Sequence, residues 1–110
     1  MKTREEKKAD ALLCVIEGEV DINTSVQLRK VFDDLIKRNE KKVLVEFSGV
    51  EYIDSSGLAT LIEMFQRLKK IGGKLRFSGM SQKVKNAFEI TKLQKLLEIF
   101  DSQEAALKDF

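Results

Sequence analysis

Apolar residues recur along this chain with two alternating spacings. Ala11 to Ile16 is a short apolar run rich in β-branched residues and closed by Gly18, the pattern of a buried strand. Lys42 to Phe47 carries Val43, Leu44, Val45 and Phe47 ahead of Ser48-Gly49 and reads the same way. Lys74 to Ser78 alternates Leu75 and Phe77 between Gly72-Gly73 and Gly79, and Glu98 to Phe100 is a last short strand. Between these runs the period changes from two to about 3.6. Leu28, Val31, Phe32, Leu35 and Ile36 fall on one face of a helix over 24–38, with Thr24 and Gln27 spaced as a capping box. A helix over 57–70 repeats the pattern with Leu58, Leu61, Ile62, Phe65 and Leu68, and Gly72 ends it. Ser81 is placed to cap a third helix carrying Val84, Ala87 and Phe88. Thr91 with Gln94 is placed to cap a short fourth one, and Ser102 a last one with Ala105, Ala106 and Leu107.

Strands separated by helices, with few hairpin signals, predict an α/β fold in which a small sheet carries helices. The strands at 42 and 74 are joined by a helix and should run parallel through a right-handed crossover. Thr3 to Asp10 is polar except for Ala9. It reads either as an edge strand pairing with 11–17 across a turn at Ala9-Asp10, or as a mobile tail.

Composition narrows the function. The chain has 110 residues, 20 Lys plus Arg against 18 Asp plus Glu, and a net charge of +2, which predicts one soluble domain. With no His, Ser-His-Asp and Cys-His mechanisms and mixed Cys/His zinc sites are excluded. The single cysteine, Cys14, makes no internal disulfide or thiolate cluster; it reads as a core residue of a reducing, cytoplasmic setting. No apolar run approaches the ~18 residues of a membrane span, and the charged Met1 to Asp10 is not a signal peptide. The charge is too small and too interspersed for a nucleic-acid surface.

One segment departs from packing logic. In Val50-Glu51-Tyr52-Ile53-Asp54-Ser55-Ser56-Gly57-Leu58, a carboxylate and two hydroxyls crowd one helix N-terminus. Capping needs only one such side chain. At least one hydroxyl should therefore remain exposed, and Gly57 would leave the backbone uncovered for a partner's approach. A second polar turn, Glu17 to Thr24, leads from the first apolar strand into the first helix. Loops leaving parallel strands gather at the carboxyl edge of a sheet, so the two turns should be neighbours. Read alone, Asp21 and Asn23 are turn and capping residues.

Gly18-Glu19-Val20-Asp21 with Asn23-Thr24, Val43 to Val50, Tyr52-Ile53-Asp54-Ser55-Ser56-Gly57-Leu58 and Ile71-Gly72-Gly73-Lys74-Leu75 together resemble a STAS domain of the anti-sigma factor antagonist branch. The resemblance runs from about Leu12 to about Leu107. The polar stretch Thr3 to Asp10 departs from the more apolar first strand of that family. The resemblance implies a small mixed sheet of four to five strands with helices packed mainly on one face. It also implies a bacterial partner-switching phosphoprotein that regulates transcription without a cofactor or metal. Ser55 corresponds to the serine phosphorylated by an anti-sigma factor that is itself a serine kinase. The unmodified form binds that partner and releases a sigma factor; the phosphorylated form lets go until a serine phosphatase acts. Glu19, Asp21, Asn23, Thr24, Asp54, Ser56, Gly57 and Leu58 correspond to the partner surface.

Other readings are weaker. The same fold could serve a stress-signalling assembly or a lipid or anion transport system. Lys83, Lys85, Lys92 and Lys95 stand on two predicted short helices but lack aromatic interleaving for nucleic acid. Gly72-Gly73-Lys74 lacks the remaining signature of a phosphate loop, and Ser55 with Asp54 has no base of suitable pKa. The chain reads as a kinase substrate rather than an enzyme.

Overall fold

A computed structural model describes residues 1–110. The element order is β1 (Lys2–Lys8), β2 (Ala11–Val20), α1 (Ser25–Lys37), β3 (Lys42–Ile53), α2 (Ser55–Lys70), β4 (Lys74–Ser78), α3 (Gln82–Ile90), a 3-10 turn at Leu93–Lys95, β5 (Glu98–Phe100) and α4 (Gln103–Leu107). The strands form one mixed sheet in chain order, β1-β2-β3-β4-β5. β1 is antiparallel to β2, and every later pair is parallel, as helical connections between strands require.

The polar N-terminal stretch is an edge strand. Its alternate residues face two environments, and on the helical side ionic contacts replace apolar ones. Glu5 meets Arg38, Lys7 donates to Glu40 at 2.8 Å, and the hairpin's Asp10 accepts from Lys42 at 2.6 Å. Such exposed pairs contribute little individually. Charge along a sheet edge also opposes strand addition by another chain. Ala9 turns the hairpin at φ 54°.

Most of the core lies on one face of the sheet. Leu12, Cys14 and Ile16 of β2, Val43, Val45 and Phe47 of β3 and Leu75 and Phe77 of β4 pack against Leu28, Phe32 and Leu35 of α1, Leu61, Met64 and Leu68 of α2 and Val84 and Phe88 of α3. Phe47 and Phe77 meet edge to face with centroids 5.6 Å apart, a favoured aromatic geometry. Leu13, Val15 and Leu44 point the other way and are covered by Ala106 of α4 with Phe100, Leu107 and Phe110. Arg76 fastens this second layer. Its guanidinium donates to the carbonyls of Ala106, Lys108 and Asp109 at 2.9, 3.0 and 3.3 Å, with the rings of Phe100 and Phe110 5.1 and 4.6 Å away. Nearby, the buried Glu46 carboxylate accepts from the Ser48 and Ser78 hydroxyls at 2.7 and 3.0 Å. A Cβ on Gly79 would lie 2.0 Å from Glu46 Oε1, so only glycine fits there.

Several local expectations need correction. β2 and β3 run past their unbroken apolar stretches to Val20 and Ile53, because the tails, polar except for the buried Val20, Val50 and Ile53 and the exposed Tyr52, pair with each other across two register shifts. The Thr24 and Gln27 capping box does not form. Thr24 Oγ1 turns back to accept from the Asp21 amide, and Gln27 donates to the Met1 carbonyl. Thr91 caps no following helix: its hydroxyl donates back to Ala87 and Phe88, Lys92 is left-handed, and only a 3-10 turn follows. Ser81 and Ser102 do cap α3 and α4, accepting from Val84 and Ala105.

Cys14 is fully buried, and burial pushes its thiol up to about 12. A thiolate is the reactive species. A thiol-specific reagent at pH 8 should leave the folded chain unlabelled and modify Cys14 fully in denaturant; rapid labelling of the folded chain would contradict this packing.

Candidate functional site

Parallel pairing carries β2 and β3 to a common edge, where Val20 is opposite Ile53. The next residue of β3's exit, Asp54, donates its amide to the Val20 carbonyl at 3.1 Å. This bond joins the two polar turns that the sequence placed near each other.

The β2–α1 turn is organised by Asp21. Its Oδ1 accepts from the amides of Asn23 and Thr24 at 2.9 and 3.0 Å. Thr24 Oγ1 accepts from the Asp21 amide at 2.9 Å and is 2.8 Å from the Glu19 carbonyl, to which it donates. Ser25 Oγ donates to the Ile22 carbonyl. Hydrogen bonds to the ionised form lower a carboxyl pKa: the amide of Thr24 above all, opposed by desolvation and seconded by the Asn23 amide and the Thr24 hydroxyl, holds Asp21 below its ordinary value. Asp21 and Thr24 thus build the loop, whereas Glu19 and Asn23 are exposed along it.

At the other turn, Asp54 is the N-cap of α2, accepting from the Gly57 amide at 3.1 Å. Helix α2 consequently begins at Ser55, two residues before the expected start. The capping position is filled, and Ser55 is exposed at the first helical residue. Ser56 is half-buried, and its carbonyl accepts from the Thr60 hydroxyl at 3.0 Å. Gly57 and Leu58 are buried. Gly57 does not serve as uncovered backbone: a Cβ there would lie 2.8 Å from the Val20 carbonyl oxygen and from side-chain carbons of Val20 and Ile53. The missing side chain lets the first turn of α2 lie directly on the ends of β2 and β3.

The arrangement exposes one hydroxyl at a positive helix terminus, flanked by the acidic side chains of Asp54 and of the Asp21 turn. No group of three or more His, Cys, Asp or Glu side chains is arranged to hold a metal ion, and no helix is long and apolar enough to cross a membrane. Two apolar side chains missed in the sequence also belong to this edge. Ile22, 67% exposed, projects between Asp21 and Asn23, and Val26, 51% exposed, follows on the first turn of α1. Their signal was an apolar residue inside a polar turn and one off the helical core spacing.

The profile of the STAS domain matches residues 3–106, and the chain belongs to the STAS domain family. Among its relatives, the anti-sigma-B factor antagonist of Bacillus subtilis is 28% identical, with 84% of each chain covered. The anti-sigma F factor antagonist of Paenibacillus polymyxa is 24% identical, covering 89% of this chain and 85% of the relative. Among solved structures, SpoIIAA of Bacillus in its phosphorylated form has the same fold with a TM-score of 0.74, 18% identity and 96% of each chain covered.

Two outcomes follow from this geometry. Gly57→Ala should cost about 1 to 3 kcal/mol through overpacking, read as a lower urea midpoint at unchanged slope; an unchanged midpoint would contradict the close approach. Asp21 should titrate below the range of an ordinary aspartate in a carbon-detected NMR titration. Because its folded pKa is depressed, its stabilisation is present above the unfolded value of about 3.9 and is lost as pH falls through the folded value. Titration at or above the ordinary value would show that the amide bonds do not form.

Proposed function

We propose that this chain is an anti-sigma factor antagonist whose attachment to an anti-sigma factor is switched off by phosphorylation of Ser55. The observation carrying this reading is that Asp54 fills the capping position of α2, leaving the adjacent Ser55 exposed beside the Asp21 turn. The names of the relatives and the existence of a phosphorylated form of SpoIIAA support it. The partner is a serine kinase that recognises the Glu19 to Thr24 turn together with Asp54 to Ser56, while Gly57 and Leu58 support that surface from beneath. Ile22 supplies an apolar contact. A serine phosphatase restores the unmodified form.

Charge decides the switch. Phosphate adds about −1.5 to −2 at neutral pH. In the free chain it meets the positive end of α2, which offsets part of the repulsion from Asp54 and contributes about 0.3 to 1 kcal/mol. Across a closed interface, like charge and lost hydration cost several kcal/mol, and each ~1.4 kcal/mol is a factor of ten in affinity. The free chain therefore keeps its fold while the complex is lost. The chain supplies a hydroxyl and a surface, and the catalytic groups belong to the kinase and phosphatase.

The test combines phosphate mapping with titration calorimetry, using the serine-kinase anti-sigma factor of the source organism. ATP should place phosphate on Ser55 and none on Ser55→Ala. Ser55→Asp should bind at least about tenfold more weakly than the unmodified chain, with an unchanged melting curve. Phosphate retained in Ser55→Ala would overturn the assignment.

A further inference from the structure

A second surface adjoins the switch and is used by none of the contacts above. The outer part of β3 extends past the end of β4, and α3 lies against it. Between them runs an open groove of about 270 Å³ lined by Tyr52, Ile53, Lys83, Val84, Ala87 and Ile90. Ile53 is two residues before Ser55. Val84 and Ile53 form the buried floor, whereas Ile90 is 82% exposed and Tyr52 41% exposed. An Ile so exposed contributes nothing to the core, and its placement beside an apolar groove marks a contact surface rather than scattered surface apolarity.

The charge at this groove is also distinctive. Lys83 Nζ lies over the Tyr52 ring, 5.8 Å from its centroid. Its neighbour Lys85 is engaged by Asp101 at 2.8 Å, but Lys83 takes part in none of the chain's ion pairs. Lys92, also exposed and unpaired, follows two residues after Ile90. Glu89 is the acidic residue of α3 and precedes Ile90. The Asp21 and Asp54 turns make the switch itself acidic, so a partner covering both surfaces meets opposite charges within a short span. An ammonium held over an aromatic ring gains from a carboxylate brought to it in a partly desolvated interface.

Resting on the proposed partner-switching role, we infer that the groove between β3 and α3 is a second docking site for the anti-sigma factor, occupied by a segment presenting an apolar side chain followed by a carboxylate. The apolar side chain enters between Tyr52 and Ile90, and the carboxylate pairs with Lys83. This contact is independent of the phosphate. It sets the register in which the partner meets Ser55 and discriminates between anti-sigma factors sharing the same kinase chemistry. Two linked contacts also make release steep, because losing one removes the local concentration supporting the other.

The test measures binding of the unmodified full-length chain to the source organism's serine-kinase anti-sigma factor by calorimetry at two salt concentrations. Lys83→Glu and Ile90→Asp should each weaken binding about tenfold or more. Lys83→Arg and Ile90→Leu should restore it. The salt dependence seen with the unmodified sequence should be reduced in Lys83→Glu. Both altered residues are exposed, and thermal melts verify that each variant is folded. Ser55→Asp is measured alongside. Loss with Ser55→Asp but full affinity in Lys83→Glu and Ile90→Asp would overturn the groove while leaving the serine switch standing. Loss in the groove variants with full affinity in Ser55→Asp would support the groove and overturn the switch. Full affinity in all three, or no binding by the unmodified chain, would overturn both.

Discussion

The parallel pairing of β2 with β3, continued past their unbroken apolar runs to Val20 and Ile53, is the constraint on which the candidate site depends. Without it the two polar turns would be separate surface loops. With it, the Asp54 amide reaches the Val20 carbonyl, and Gly57 rests the start of α2 on both strand ends. In the tails Val20, Val50 and Ile53 still reach the core, but Glu17-Gly18-Glu19 and Ser48-Gly49 interrupt the apolar sequence that fixes register elsewhere in the sheet. The pairing there is irregular, with shifts near Val15 to Glu17 and Gly18 to Glu19. Gly18, at φ 108°, takes a backbone conformation that other residues rarely adopt. The irregular pairing still delivers Asp21 and Ser55 to one edge.

Around that constraint, capping and turn chemistry divide the labour among similar residues. Asp21 and Asp54 are both carboxylates that accept backbone amides, and each holds its own turn closed. Ser55 stands beside a residue that already performs the capping a serine could perform. The contrast with Ser81 and Ser102 is direct: both occupy cap positions and use their hydroxyls on the backbone. A serine relieved of that duty keeps its hydroxyl exposed at the start of α2, where the proposed phosphorylation acts.

Much of this was legible in the sequence where burial imposes a period. β4 and β5 fall where the alternation placed them, and Leu28, Phe32 and Leu35 face the core as their spacing predicts. Legibility ended where polar residues do structural work. Glu17-Gly18-Glu19 and Ser48-Gly49 look like turns yet lie in strands, because each tail is supported by the other and no local signal reports that. Thr24 has the composition of a helix cap, but the Asp21 turn claims its hydroxyl. In the sequence Gly57 looks like open backbone, and only its packing on Val20 and Ile53 reveals why a side chain is excluded. The largely charged β1 could not be separated from a tail by periodicity, since its ionic partners Arg38 and Glu40, in the connection between α1 and β3, replace an apolar face.

The central claim is that phosphate at Ser55 changes the surface and leaves the fold intact. The most direct measurement is a comparison of amide NMR spectra and hydrogen exchange for the free chain with and without phosphoserine at position 55. Shift changes confined to Asp21 to Ser25 and Asp54 to Leu58, with unchanged protection across β2, β3 and β4, are the expected result. Shifts or lost protection spreading through the sheet and α3 would contradict it.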